Sequence, residues 1–284
     1  MKFLSKAYIF IIFAILYAPI LVVMLFSFNE SGNLSAFTGF TLDWYKELFK
    51  DEEALSALIN SLILAASSSL LATVIGTFAA FNIAHSKNKY YQKAMKSITN
   101  IPMMNPDIVT GVSMMLLFVG FALIFNFSSG KILGFWSMLI AHTTFNLPYV
   151  ILSVLPKFQQ MDKKTVEAAL DLGCTPRQTF FKVELPAIFS GILSGLMMSF
   201  TLSLDDFVIS HFVSSPDFKT LPLYIYNQTA HEVKFSMYAL CTLIIVTILV
   251  LLIAVNLAGA KKNKASTPKK KKRASKKAVK EAAQ

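Results

Sequence analysis

Six stretches of this chain run for 20 residues or more without an Asp, Glu, Lys or Arg: 7–28, 54–84, 108–130, 132–156, 185–204 and 235–260. A bilayer core of about 30 Å is crossed by roughly 20 helical residues. Inside lipid, only a helix or a closed barrel satisfies its own backbone. The alternating segments of about ten residues that make barrel strands are absent. With 55% of the 284 residues hydrophobic, held in runs that soluble domains do not contain, the chain reads as an all-α integral membrane protein with six transmembrane helices. Residues 7–28 are longer than the roughly 7–15-residue apolar core of a secretory signal and read as a retained anchor.

Lysine and arginine set the expected orientation. With the N-terminus inside, segments 1–6, 85–96, 157–187 and 261–284 fall in the cytoplasm and hold 22 of the 27 Lys and Arg, as the positive-inside bias requires. Both termini are then cytoplasmic, and 29–56 becomes an acidic outer loop. Three regions follow: an anchor helix with its outer loop (1–56), a transmembrane core (57–260) and a basic tail (261–284). The tail contains "KKKKR" at 269–273. It has no aromatic residue on which a base could stack and too little apolar content to fold, so it reads as a disordered segment that reinforces topology and no specific nucleic-acid partner is expected. Cys174 and Cys241 fall in a loop and a span, which implies no disulfide framework. The four histidines lack metal-ligand spacing, and no metal site is expected.

The spans are not uniformly apolar. Pro102 and Pro106 flank the entry to Asp107, span 4 carries His142, Asn146 and Pro148, and span 5 carries adjacent Asp205 and Asp206. Ionisable groups at membrane depth cost a few kcal/mol each and usually face a bundle interior or a pathway. Two readings of the aspartate pair stand side by side. In one they are hydrated caps at a helix break near the interface. In the other they line a cation pathway, with Asp107 as a third carboxylate and Tyr149, Tyr224 and Tyr226 as aromatic faces for cation–π contact. The GxxxG at 191–195 and the Ala/Ser/Gly-rich stretch 65–80 allow close helix approach.

Segment 157–187 is too polar for lipid and too patterned for a connector. Apolar positions Val166, Ala169, Leu170 and Leu172 lead to Gly173, which predicts a short amphipathic helix closed by a left-handed cap. Thr175 and Pro176 then suit the N-cap and first turn of a second helix running to Pro186. Glu167-Ala168-Ala169, Gly173 three residues on, and Val183-x-Leu185-Pro186 nine residues later resemble the "EAA" loop of ABC-importer permeases, with Val183 where Ile is usual. Stretches 103–118, 133–150, 200–212 and 221–226 are similar to the spermidine/putrescine permeases of that family.

The resemblance implies a type I ABC-importer permease (MetI-like) architecture in a bacterial cytoplasmic membrane. The chain would be one transport subunit of a heterodimeric pair of homologous permeases, in contact with membrane lipid. An extracytoplasmic polyamine-binding protein would deliver substrate. Glu167, Ala168, Ala169, Gly173, Leu185 and Pro186 would form the loop that docks on a cytoplasmic ABC ATPase dimer. No G-x4-G-K-[ST] phosphate loop occurs, so ATP and Mg are expected on that partner and no cofactor in this chain. Related permeases carry iron, thiamine, sulfate or molybdate, and another small solute is the alternative cargo. An ion-coupled secondary transporter would call for an inverted internal repeat, and none is evident.

Overall fold

The computed structural model describes residues 2–31, 37–125, 132–229, 234–247 and 249. Its helices are α1 (Lys2–Phe26), α2 (Asp43–Leu48), α3 (Glu52–His85), α4 (Lys89–Met104), α5 (Asp107–Ile124), α6 (Phe135–Gln160), α7 (Lys163–Asp171), α8 (Pro176–Asp205), α9 (Val208–Val213), α10 (Leu221–Thr229) and α11 (Phe235–Thr247). Five are long and apolar enough to cross a bilayer: Lys6–Phe26 of α1, then α3, α5, α6 and α8. The described part of the sixth expected span is the shorter α11. The remainder of that run and the basic tail 261–284 lie outside the described residues.

Two compact units divide the chain: Met1–Lys50 with Val233–Gln284, and Asp51–Glu232. In the first, the chain after α1 turns on Ser27, whose hydroxyl lies 2.8 Å from Tyr45 Oη. Trp44 Nε1 donates to the Asn29 carbonyl at 2.7 Å.

The second unit is built on a three-helix core of α3, α6 and α8. Small residues let their backbones approach. A Cβ on Gly76 of α3 would lie 2.7 Å from Val150 Cγ1 of α6, and one on Gly195 of α8 would lie 3.3 Å from Val150 Cα. Val150 is thus gripped from both sides. One turn away, a Cβ on Gly191 would stand 3.0 Å from the Ser153 carbonyl. Both glycines of the 191–195 motif therefore face α6, and the Ala/Ser/Gly stretch of α3 buries Ala65, Ser68, Ser69, Ala72, Thr73, Gly76, Thr77 and Ala80. Without a hydrophobic drive between helices in lipid, such close packing is what holds a bundle together. Ile83, Val154, Leu155, Phe158, Phe180 and Ile188 continue the same core.

Helix ends follow local chemistry. Asp51 caps α3 by accepting from the Ala54 N–H, with Glu52 and Glu53 in the first turn where the helix dipole favours anions. Asn88 caps α4 through the Tyr90 and Tyr91 N–H groups. Helix α4, which starts within the expected cytoplasmic segment 85–96, was not among the elements expected from the sequence. It is too polar to register as a span, yet it is helical through Met104 with one largely apolar face. Pro102 accordingly lies inside α4, and Pro106 is the N-cap residue directly before Asp107. Helix α8 likewise starts at Pro176 and runs unbroken into the membrane-length segment, so its span is 30 residues long, against the 20 of the charge-free run.

The grip on Val150 makes a contrast of two glycines testable. Gly76→Val forces atoms into Val150 and should cost about 1–3 kcal/mol, the usual range for overpacking. Gly120→Ala, with nothing within 4 Å of the added Cβ, should leave the melting temperature of detergent-purified protein unchanged. Equal melting temperatures for the two variants would contradict the packing.

Candidate functional site

Two places in the second unit have chemistry beyond packing. The first is the elbow between α7 and α8. Asp162 caps α7 by accepting from the Lys164 N–H at 3.0 Å. At its other end Cys174 N–H donates to the Ala169 carbonyl at 3.1 Å and Gly173 N–H to Leu170 at 2.9 Å, the paired bonds of a Schellman turn. Gly173 sits at φ 86°, where a Cβ costs about 1–2 kcal/mol. Thr175 Oγ1 then accepts from the Gln178 N–H while Gln178 Oε1 accepts from the Thr175 N–H, a reciprocal capping box, and Pro176 occupies the first turn. Every step of this elbow is fixed by local bonds.

The elbow's root is embedded and its tip is bare. At the root, α8 passes through a π turn at Phe180–Glu184. The buried Phe180 ring packs edge-on against Phe81 of α3 at 4.9 Å, and Phe81 in turn meets Phe158 of α6 at 5.9 Å. At the tip, α7 buries no residue at all. Leu172 is 86% exposed and Leu170 42%. Glu167, Ala168, Gly173 and Pro186 are exposed, whereas Ala169 and Leu185 are half-buried. The Glu167 carboxylate has no hydrogen-bonding partner among the described residues.

The second place is a helix break. Helix α8 ends at Asp205, and Asp206 turns into extended backbone. Asp206 folds back to cap α9, accepting from Ser210 N–H at 2.8 Å and Ile209 N–H at 3.3 Å. Its Oδ2 also lies 3.4 Å from His142 Nε2, and both side chains are nearly inaccessible, 7% and 1% exposed. His142 Nε2 is 3.1 Å from Ser210 Oγ, its Nδ1 is 2.7 Å from Ser203 Oγ, and Ser203 reaches Ser68 Oγ of α3 at 3.0 Å. The network closes with a proton on Nε2 facing Ser210 and Asp206, and Nδ1 accepting from the Ser203 hydroxyl. Polar groups buried at membrane depth are thereby paired across α3, α6, α8 and α9, as their desolvation demands.

The other expected pathway residues are placed differently from one another. Asp205 and Asp107 are exposed, with Asp107 in the first turn of α5. Tyr149 of α6 is half-buried, within electrostatic reach of Asp107 and 5.5 Å from the Phe145 ring. Tyr224 of α10 is buried and donates its hydroxyl to Asp51 Oδ2 at 2.7 Å. Burial first, and then that carboxylate, push its pKa up, so it stays a neutral donor. Tyr226 is exposed, its ring 4.6 Å from Phe207 and 5.9 Å from His211, which makes an aromatic patch next to the break. The structure thus joins Asp206 to His142 and brings Asp107 near Tyr149, but it ties Tyr224 to the start of α3. His142 was visible in the sequence as a polar residue in a span. Its partners Ser68, Ser203 and Ser210 carried no local signal. Among the described residues no group of three or more His, Cys, Asp or Glu is placed to hold a metal.

Comparison with known proteins gives the family of the chain as a whole. Residues 72–262 match the family described as binding-protein-dependent transport system inner membrane component. The chain is 36% identical to the spermidine/putrescine transport system permease protein PotC of Haemophilus influenzae, over 92% of this chain and 98% of that one. It is also 36% identical to the putrescine transport system permease protein PotI of Escherichia coli, over 82% of each. Among solved structures, a bacterial ABC transporter involved in the import of the acidic polysaccharide alginate aligns with a TM-score of 0.70 at 17% identity, covering 94% of this chain and 97% of that one. The MetNI methionine ABC transporter aligns at 0.56 and 18%, covering 81% and 100%. Identities this low carry the fold alone.

The helix break yields a stability prediction. Asp206→Ala removes the α9 cap and leaves His142 without its carboxylate, a loss of about 2 kcal/mol or more. Asp205→Ala, at an exposed position, should stay within about 0.5 kcal/mol of wild type. Thermal melts of the purified protein compare them directly, and equal losses would refute the asymmetry.

Proposed function

The chain belongs to the binding-protein-dependent transport system inner membrane components, has the fold of type I ABC-importer permeases and is a transport subunit rather than an enzyme; from that premise we propose that it forms half of a polyamine pathway in the bacterial cytoplasmic membrane. Spermidine or putrescine would arrive from an extracytoplasmic binding protein. A homologous permease would supply the other half. Both termini and the α7–α8 elbow would face the cytoplasm, where an ABC ATPase dimer holds ATP and Mg.

The observation that carries this reading is the bare, rigid elbow: Leu172, 86% exposed, beside Gly173 in a turn fixed by capping bonds on both sides. A helix that forms yet buries none of its own residues, with Leu170 and Leu172 both exposed at its end, is suited to a partner's surface. A rigid elbow rooted under α3 and α6 can pass a push from that partner to the spans. Glu167, free of partners within the described chain, is available for charge-assisted bonds at the ATPase surface. Ala168, Ala169, Leu185 and Pro186 complete the docking segment.

A flexible polycation is favoured by carboxylates with aromatic faces nearby. Exposed Asp205 beside the Phe207–His211–Tyr226 patch, and Asp107 near Tyr149, supply both. Asp206 and Tyr224, whose polar atoms are committed to His142 and α9 or to Asp51, support the pathway's shape. The names of the relatives PotC and PotI point to the same class of cargo.

One assay on the assembled complex in proteoliposomes, loaded with radiolabelled spermidine or putrescine, tests both halves of the proposal. Gly173→Asp should remain in the membrane, lose ATPase copurification or substrate-stimulated hydrolysis, and abolish uptake. Asp205→Asn should keep the ATPase and basal hydrolysis while uptake falls, on the order of tenfold for one lost charge contact of about 1.4 kcal/mol. Unchanged uptake in Gly173→Asp would remove the docking role, and unchanged uptake in Asp205→Asn would remove the pathway role.

A further inference from the structure

The π turn at the root of α8 places a carboxylate where a carboxylate is costly. Glu184 is 3% exposed, and burying a charge is tolerated only when it is paired. One oxygen, Oε1, lies 3.1 Å from His85 Nε2 at the last turn of α3. The other, Oε2, is buried without a partner among the described residues. Among the described residues His85 is therefore the polar anchor of this side chain.

His85 is itself held in place. Its ring lies 4.2 Å from Phe81 and edge-on to Phe158 at 5.9 Å. Its Nδ1 is 3.0 Å from the Phe81 carbonyl, which can only accept, so Nδ1 donates there. The contact between Nε2 and Glu184 then requires a second proton, carried by the imidazole or the carboxylate, and is a charge-assisted bond in the first case and a carboxylic acid donating to nitrogen in the second. The end of α3 is also bound to α4. Gln92 Nε2 donates to the Ser86 carbonyl at 2.7 Å and Tyr91 Oη to Asn82 Oδ1 at 3.2 Å. A displacement of the elbow root thus meets α3 at one polar point, and from there it meets α4 and the Asp107 end of α5.

We propose that the His85–Glu184 contact is the joint through which the α7–α8 elbow drives α3 and α4, with His85 as a positioning residue for coupling rather than for substrate. The proposal rests on the docking role of the elbow argued above. The π turn holds Phe180 and Glu184 buried on one face of α8, and π turns recur where helices do functional work. Phe180 packs the root apolarly beneath Phe81, and Glu184 keys its rotation. A purely apolar root could slide or turn on its neighbours. A directional bond to a side chain pinned by two rings fixes one register.

The test uses the complete transporter, with ATPase and binding protein, and measures spermidine transported per ATP hydrolysed. His85→Ala should keep the ATPase bound and hydrolysing, while transport per ATP falls about tenfold, within the range of single-residue effects on coupling. His85→Gln, whose side-chain amide can still donate to Glu184, should recover most of that ratio. The joint is overturned if His85→Ala transports with the wild-type ratio. It is also overturned if transport and hydrolysis fall together in proportion to the folded complex, or if a folded His85→Gln is as uncoupled as His85→Ala. A wild-type complex that fails to retain an ATPase would instead defeat the docking role, so the two failures are told apart.

Discussion

Val150, closed between Gly76 and Gly195, is the contact on which the rest of the second unit depends. It sets α3 parallel and α8 antiparallel to α6 at a separation that only small residues allow. Once the three backbones are that close, side chains one or two turns away are forced into one another's reach. Toward the helix break the seam carries Ser68, His142 and Ser203, whose polar atoms satisfy one another. Toward the elbow it carries Phe81, Phe158 and Phe180, and then His85 with Glu184. In lipid, where apolar surface alone does not favour helix association, close approach with polar pairing is the available source of specificity.

The two ends of this seam do different work with the same device. At each end a helix would be in trouble without help. Helix α8 breaks after Asp205 with the Asp206 carboxylate buried, and it passes a buried carboxylate at Glu184. In both cases a histidine from a neighbouring helix meets the carboxylate: His142 with Asp206, His85 with Glu184. His142 and Asp206 are both buried, whereas Glu184 is buried and His85 reaches it from a partly exposed position. Removing the histidine from either leaves a buried carboxylate short of its partner, which costs more than the pair contributes. Positions of that kind resist drift. A rigid α8, held at both ends and gripped in the middle, would suit the proposed role, in which an ATP-driven partner pushes at one end while cargo passes at the other.

What was legible in the sequence follows the range of the forces involved. The spans were visible because hydropathy over roughly 20 residues is a local property. The elbow was visible because Gly173, Thr175 and Pro176 act on backbone within a few positions of themselves, and each adopts the role its chemistry predicts. Helix α4 was hidden by its own polarity, although its cap Asn88 was there to be read. The hydrogen bonds of His142 join residues 61 and 68 positions apart, and Glu184 is buried in a π turn that has no local sign. Both depend on the register of three helices, which no single segment encodes. Tyr224 shows the reverse case, an aromatic residue suited by type to a cation pathway that the fold assigns to Asp51 instead.

The central claim is that the elbow is a handle for a separate ATPase, and its tip is the place to ask. A photo-reactive amino acid substituted at Leu172, the most exposed apolar residue of the elbow, can be irradiated in membranes that contain the whole transporter. The account predicts a cross-linked product between this subunit and the ATPase, one that is lost when Gly173→Asp is added. Cross-links only to lipid or to this chain, in membranes where the ATPase is present and transport is active, would contradict it.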